Sequence, residues 1–231
     1  MRLSKSLIVC FLVLLFVFGT QGVYASDPSG SEPLDLLNEK SLDDFDYFLS
    51  DGAAKSDVFS LNQDGILSVK GNPFGWLGTK KEYTNFILNV EYRYPDSANA
   101  VNSGLFLRVN GESVMFLPKC VEVQLAPNSM GDLYGFWDMK LGGNTERCKV
   151  TENHSLVKTL RAVQRFHNAN HEDLTQWHSA EILCCDDIIV VRINGELVNW
   201  ISGVEIVPGK IAFQSEGAPI EFRNVNLVVL D

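Results

Sequence analysis

NFILNVEYRY, residues 85–94, alternates apolar and polar side chains with a period of two. Phe86, Leu88, Val90 and Tyr92 fall on one face, and Ile87, Asn89, Glu91 and Arg93 on the other. One face of such a strand turns inward. Working outward, short β-branched and aromatic runs recur between turn residues: GILSVKG (65–71), SGLFLRVN (103–110), VEVQLA (121–126), IIVVRING (188–195), GKIAFQS (209–215) and IEFRNVNLVVL (220–230). Asn194-Gly195 supplies the positive φ angles of a two-residue turn and joins IIVVRI to ELVNWI as a hairpin. This spacing predicts an all-β chain, an antiparallel two-sheet β-sandwich.

From Pro127 to about Trp177 the period lapses, in NSMGDLYGFWD, LGGNTERCK and RFHNANHEDLTQ. Long irregular connections in compact domains are often binding loops. At 231 residues, 45% hydrophobic and 21% charged, the chain suits one globular domain. MRLSKSLIVCFLVLLFVFGTQGVYAS has the basic start, apolar run and small-residue end of a secretory signal peptide, 1–25, with cleavage expected after Ala25. The apolar run Leu7 to Phe18 is shorter than the roughly 20 residues that span a bilayer, so no stable membrane span is expected after cleavage. SDPSGSEP, 26–33, reads as a polar tether to a domain over 34–231. The mature chain is expected to be exported, periplasmic or extracellular.

Removing Arg2 and Lys5 from the 19 basic residues leaves 17 against 29 acidic ones, a formal charge of −12. That sign is wrong for sheathing a phosphate backbone, so nucleic acid and anionic membranes are poor partners, while neutral carbohydrate is compatible. Cys120, Cys148, Cys184 and Cys185 lack zinc-ligand spacing. Cys120 and Cys148 could pair or remain free thiols. His154, His167, His171 and His178 lie in or beside the irregular middle and read as loop histidines rather than a metal site. There is no GxSxG, HExxH or P-loop. Nothing in the sequence sets the oligomeric state.

Strand parity gathers the candidate chemistry. In NSGLFLRV, Asn102, Gly104, Phe106 and Arg108 share a face, with a gap at Gly104 that could admit a ligand. In CVEVQL, Glu122 and Gln124 share a face opposite Val121, Val123 and Leu125. A solvated polar face is the ordinary reading of such alternation, but two polar strands in succession suggest a site. An arginine facing Glu122 would favour its ionised form, whereas burial would raise its proton affinity. Trp76, Tyr134, Trp137 and Trp177 offer flat surfaces on which a sugar could stack, core packing being the commoner fate of each. Gln214, Glu216, Glu221, Arg223 and Asn224 surround a Gly217/Pro219 turn. There Glu216 can project into a cleft, and Glu221 and Arg223 can pair on the surface.

Taken in order, LLNEKSLDDF (36–45), GNPFGWLGTKKEYTNFILNVEYRYP (71–95), NSGLFLRV (102–109), VEVQL (121–125), DLYG (132–135), NGELVN (194–199) and GKIAFQSEGAPIEFRNV (209–225) resemble the 3-keto-disaccharide hydrolase family. The resemblance implies a concanavalin-like or laminin-G-like jelly roll acting on sugars oxidised at C3, as 3-keto-glycoside lyase, hydratase or both. It implies Glu122 as base, Arg108 and Asn102 as donors to an enolate or hydroxyl, and Gln124 and Tyr134 as positioning or acid groups, with Trp76, Trp177, Gln214 and Glu216 in substrate binding. The substrate would be a 3-keto-oligosaccharide or glycoside. No cofactor is required; a divalent cation on Glu122 or Glu216 is compatible but not indicated by ligand spacing. The alternative is a non-catalytic, lectin-like carbohydrate-binding module. Two positions depart from the family pattern: Glu216 stands where many members carry histidine in a QDHG-like turn, and Cys120 replaces an aromatic.

Overall fold

A computed structural model describes residues 32–38, 41–111, 115–142 and 146–230. The expected leader and tether residues 26–31 lie outside the described residues. In chain order the strands are β1 (Leu34–Asp35), β2 (Phe45–Leu49), β3 (Phe59–Leu61), β4 (Leu67–Val69), β5 (Gly75–Thr79), β6 (Phe86–Arg93), β7 (Gly104–Asn110), β8 (Lys119–Gln124), β9 (Leu133–Phe136), β10 (Cys148–Glu152), β11 (Thr159–Val163), β12 (His178–Cys185), β13 (Ile188–Ile193), β14 (Glu196–Ile201), β15 (Lys210–Ser215) and β16 (Ile220–Val229). They form two antiparallel sheets. The first runs β14-β13-β12-β6-β16-β4-β3, with β1 against β16, and the second runs β10-β11-β9-β8-β7-β15-β5-β2.

The alternation in β6 does what its period requires. Phe86, Leu88, Val90 and Tyr92 enter one core with Leu105, Leu107, Val121, Val123 and Phe213 of the second sheet. Leu88 is fully buried, so its truncation to alanine would cost about 2–5 kcal/mol. At the β13–β14 hairpin, Asn194 and Gly195 have φ of 51° and 77°, and Ile193 pairs with Glu196 across the turn. Among the described residues, no helix is long and apolar enough to cross a membrane. Cys120, Cys148, Cys184 and Cys185 are free thiols, so the Cys120–Cys148 pairing is not formed.

Strand parity fails at one point in β7, and the failure moves Arg108. Lys210 and Ala212 of β15 face Val109 and Phe106, while Val121 and Lys119 of β8 face Leu107 and Asn110. On each side β7 spends three steps against its neighbour's two, so it carries a β-bulge. Arg108 takes the left-handed conformation there, with φ 54°. Val109 consequently joins Phe106 in an outer-face apolar cluster with Trp76, Cys120, Phe136 and Ala212.

Arg108 itself is fully buried. Its guanidinium donates to the backbone carbonyls of Thr84 (2.9 Å), Asp186 (2.7 Å) and Glu205 (2.7 Å). The expectation that it faces Glu122 as a donor to substrate is therefore corrected: Arg108 ties three loop carbonyls together.

Candidate active site

The outer face of the second sheet brings together side chains from strands far apart in sequence. Across the sheet, Trp76 of β5 is opposite Gln214 of β15, Gly104 of β7 is opposite Gln124 of β8, and Glu122 of β8 lies between Phe106 of β7 and Tyr134 of β9. Glu216 follows β15 in the turn to β16. That turn is held by Gly217 N–H donating to Gly71 O (2.6 Å) and Ser215 Oγ donating to Pro73 O (3.0 Å). Asn102, just before β7, is half-buried beside it.

Gly104 matters because of what occupies the space above it. A Cβ there would lie 2.5 Å from Glu122 Oε1 and 3.1 Å from Gln214 Oε1. The gap expected to admit a ligand thus seats the Glu122 carboxylate. Gln214 Nε2 donates to Glu216 Oε2 at 2.6 Å, and the same side chain borders the Glu122 carboxylate above Gly104.

Both acids hold their protons unusually well. Burial pushes the Glu122 carboxyl far above the usual carboxylate range, the charge of Glu216 pushes it further, and a hydrogen bond from Gln214 opposes both. Burial raises Glu216 to about 7, with a hydrogen bond from Asn102 opposing. Glu122 is 3% exposed, whereas Glu216 is half-buried. Glu216 is therefore the solvent-facing acid and Glu122 the one behind it.

Polar atoms without partners mark the same place. Glu122 Oε1, Gln214 Oε1, Asn102 Oδ1 and Trp76 Nε1 are buried and make no hydrogen bond. Each such atom costs about 1–3 kcal/mol, which a folded chain retains chiefly where function needs it. Three acceptors, one donor and two acids of raised proton affinity can bind hydroxyls and move protons. Only two carboxylates converge here, and among the described residues no group of three or more His, Cys, Asp or Glu could hold a metal ion.

The remaining expected residues separate into neighbours and outsiders. Tyr134 is close; burial, then the charges of Asp132 and Glu122, raise its phenol to about 12 against an opposing effect of Arg165, so it stays neutral and able to hydrogen-bond. Gln124 is on the same face, but its Oε1 accepts from Leu125 N and Ala126 N (2.9 and 2.8 Å) and shapes the turn after β8. Trp137 Nε1 donates to Leu117 O at 2.7 Å, pinning the loop that covers this face.

Trp177 belongs elsewhere. It stacks between the guanidinium groups of Arg93 (4.5 Å) and Arg223 (4.1 Å), which extend from the outer face of the first sheet. The substrate-binding role expected for it is thus corrected, because β6 and β16 point those arginines away from the second sheet. Glu221 and Arg223 do not pair with each other either. Each finds a cross-strand partner, Glu221 with Arg93 (2.7 Å) and Arg223 with Glu91 (2.6 Å).

Sequence reasoning missed Asn128, Asp132, Gln164, Arg165 and Phe166, which with Tyr134 line a cleft of about 500 Å³. Their signal was the run QRFHN, 164–168, where amides flank an aromatic in an aperiodic segment.

The sequence profile of the 3-keto-alpha-glucoside-1,2-lyase-like domain matches residues 32–228. No curated protein matches the chain. Among solved structures the fold is similar to a candidate glycosyl hydrolase from Parabacteroides distasonis, with 19% identity, 87% of this chain and 100% of that chain covered, and a TM-score of 0.59. It is also similar to a β-glucanase from Bacillus licheniformis (10% identity, 87% and 99% covered, TM-score 0.55). Carbohydrate-binding module CBM66 from Bacillus subtilis shares it too (11%, 78% and 92%, 0.52). At such identities the likeness carries the fold alone, a concanavalin-like jelly-roll sandwich, as expected.

Proposed function

Since the chain belongs to the 3-keto-alpha-glucoside-1,2-lyase-like domain family and acts on carbohydrate, we propose that it cleaves 3-keto-glycosides by elimination and hydrates the product. The observation that carries this reading is the Glu122–Gln214–Glu216 array, in which two carboxyls of raised proton affinity flank one amide.

A C3 ketone acidifies the hydrogen on C2. Glu216, ionised in about half the molecules near pH 7, takes that proton, and the C2–H electron pair becomes an enolate on O3. The enolate re-forms the ketone, C1=C2 forms, and the C1–O bond breaks. Glu122, which burial keeps protonated, supplies the proton to the departing oxygen.

The sequence pointed to Glu122 as base; its deeper burial gives it the acid's part instead. Addition of water to C1 then returns a proton to Glu122, and protonation of C2 by Glu216 restores the starting pair, so the two steps together are hydrolysis. Trp76 Nε1–H is the donor for the developing O3 charge, a preorganised group of the kind that stabilises enolates, and Asn102 Oδ1 accepts from a sugar hydroxyl.

A lectin-like module would have no use for two neighbouring carboxyls of raised proton affinity, one protonated and one poised to ionise. The two readings part when the chain is given a chromogenic 3-keto-glucoside: leaving-group release supports the lyase, and binding without release supports the module. The leader sequence supports action outside the cytoplasm; detection of the chain in an exported fraction, shortened to begin at Ser26, tests that part.

A further inference from the structure

The outer face of the second sheet continues beyond the acid pair. Tyr134, the cross-strand partner of Glu122, also forms a wall of the cleft lined by Asn128, Asp132, Gln164, Arg165 and Phe166. Opposed residues on neighbouring strands stand about 5 Å apart at Cβ, so a molecule reacting at the carboxylates is one residue away from this cleft. Its volume of about 500 Å³ falls within the ~300–1,000 Å³ usual for small-molecule sites.

Its chemistry selects for neutral, hydroxyl-rich ligands. Arg165 is neutralised locally by Asp132 at 3.1 Å, and His167 on the rim pairs with Glu196 at 2.6 Å. What stays available is a set of exposed amides, Asn128 and Gln164 among them, beside an aromatic ring. Phe166 is 48% exposed, with Arg147 standing 5.4 Å from its ring centre. A hydrocarbon ring left in water beside amides suits the apolar face of a pyranose.

The walls are also set in advance. Arg165 N accepts no mobility, since it donates to Asp132 Oδ1 at 2.8 Å while its Nη2 donates to Asn128 O at 2.8 Å. Phe166 N donates to Val198 O at 3.1 Å. Binding to such a site costs little ordering.

We propose that this cleft is the subsite for the leaving-group sugar of a 3-keto-disaccharide, with Phe166 stacking on the ring and the Arg165–Asp132 pair holding the amide walls in place. The subsite rests on the lyase reading and adds what that reading leaves open: it makes the second sugar part of the recognised substrate.

The test compares wild type, Phe166→Ala and Phe166→Tyr on three compounds: 3-keto-trehalose, methyl 3-keto-glucoside, and the free 3-keto-2-hydroxy-glucal, which has no leaving group to bind. Phe166→Ala should raise KM for the disaccharide about tenfold and leave methyl glycoside cleavage and glucal hydration unchanged, with Phe166→Tyr restoring the disaccharide KM. Equal effects on all three compounds, or none on the disaccharide, overturn the subsite. A wild-type protein inert on all three overturns the lyase reading itself.

Discussion

Both outer faces of the sandwich carry glutamates, and the two faces treat them in opposite ways. On the first sheet, Glu91 and Glu221 each meet an arginine across the β6–β16 pair, and Trp177 lies between the two guanidiniums. On the second sheet, Glu122 and Glu216 meet amides and each other, with burial raising both proton affinities. Cross-strand ion pairs at a partly exposed surface satisfy their charges and add little, about 0–1 kcal/mol each. Buried acids without a cation keep their protons and stay available for chemistry. Residues of the same type thus form ion-paired scaffold on one face and, on the other, the reagents of the proposed reaction, according to which strand lies opposite.

The largest break in that comparison comes from Glu216→Gln, which keeps the shape and removes the proposed base. It should lower kcat on a 3-keto-glucoside by about 10²–10⁴-fold with the fold intact by circular dichroism. Gly104→Ala approaches the same site without touching a charge. Its methyl would sit 2.5 Å from Glu122 Oε1 and displace the carboxylate, so activity should fall at least about tenfold while both acids remain.

Arg108 separates structure from chemistry. Arg108→Met strands the carbonyls of Thr84, Asp186 and Glu205 and should cost about 3 kcal/mol in denaturant unfolding. The remaining folded protein should turn over substrate at the wild-type rate; a selective loss of kcat without loss of stability would return Arg108 to the site.

Acidity sharpens the contrast further. Glu216 has a folded pKa of about 7, above the usual carboxylate value, so the native state binds its proton more tightly than the unfolded chain does. Its contribution is most favourable below about pH 4 and is lost as pH rises through about 7, an effect on the order of 3 kcal/mol. Stability measured between those limits should lose part of its decline in Glu216→Gln. On the opposite face, Glu91→Gln should change stability by under about 1 kcal/mol and leave turnover unaltered.

Much of this was legible in the chain. Alternation in β6 placed Phe86, Leu88, Val90 and Tyr92 in the core, and Asn194-Gly195 marked its hairpin. Parity also brought Asn102, Glu122 and Gln124 to one face, because β8 and the start of β7 are regular. It misplaced Arg108 because a single extra residue in β7 reverses every later side chain, and nothing in a period-two pattern announces a bulge. It misplaced Trp177 because an aperiodic segment does not say which sheet it crosses. The convergence of Glu216 on Glu122 depends on β15 lying beside β7, a pairing across about a hundred residues that local pattern cannot express.

Proton removal from C2 of a 3-keto sugar by Glu216 is the step on which the proposed reaction turns. Its most direct measurement is the rate of leaving-group release from a 3-keto-glucoside bearing deuterium at C2, beside the protiated compound and the unoxidised glucoside. A primary isotope effect on kcat/KM is expected, with a rate that rises with pH through about 7, and no release from the unoxidised glucoside. Release at similar rates from all three compounds would contradict the proposed reaction.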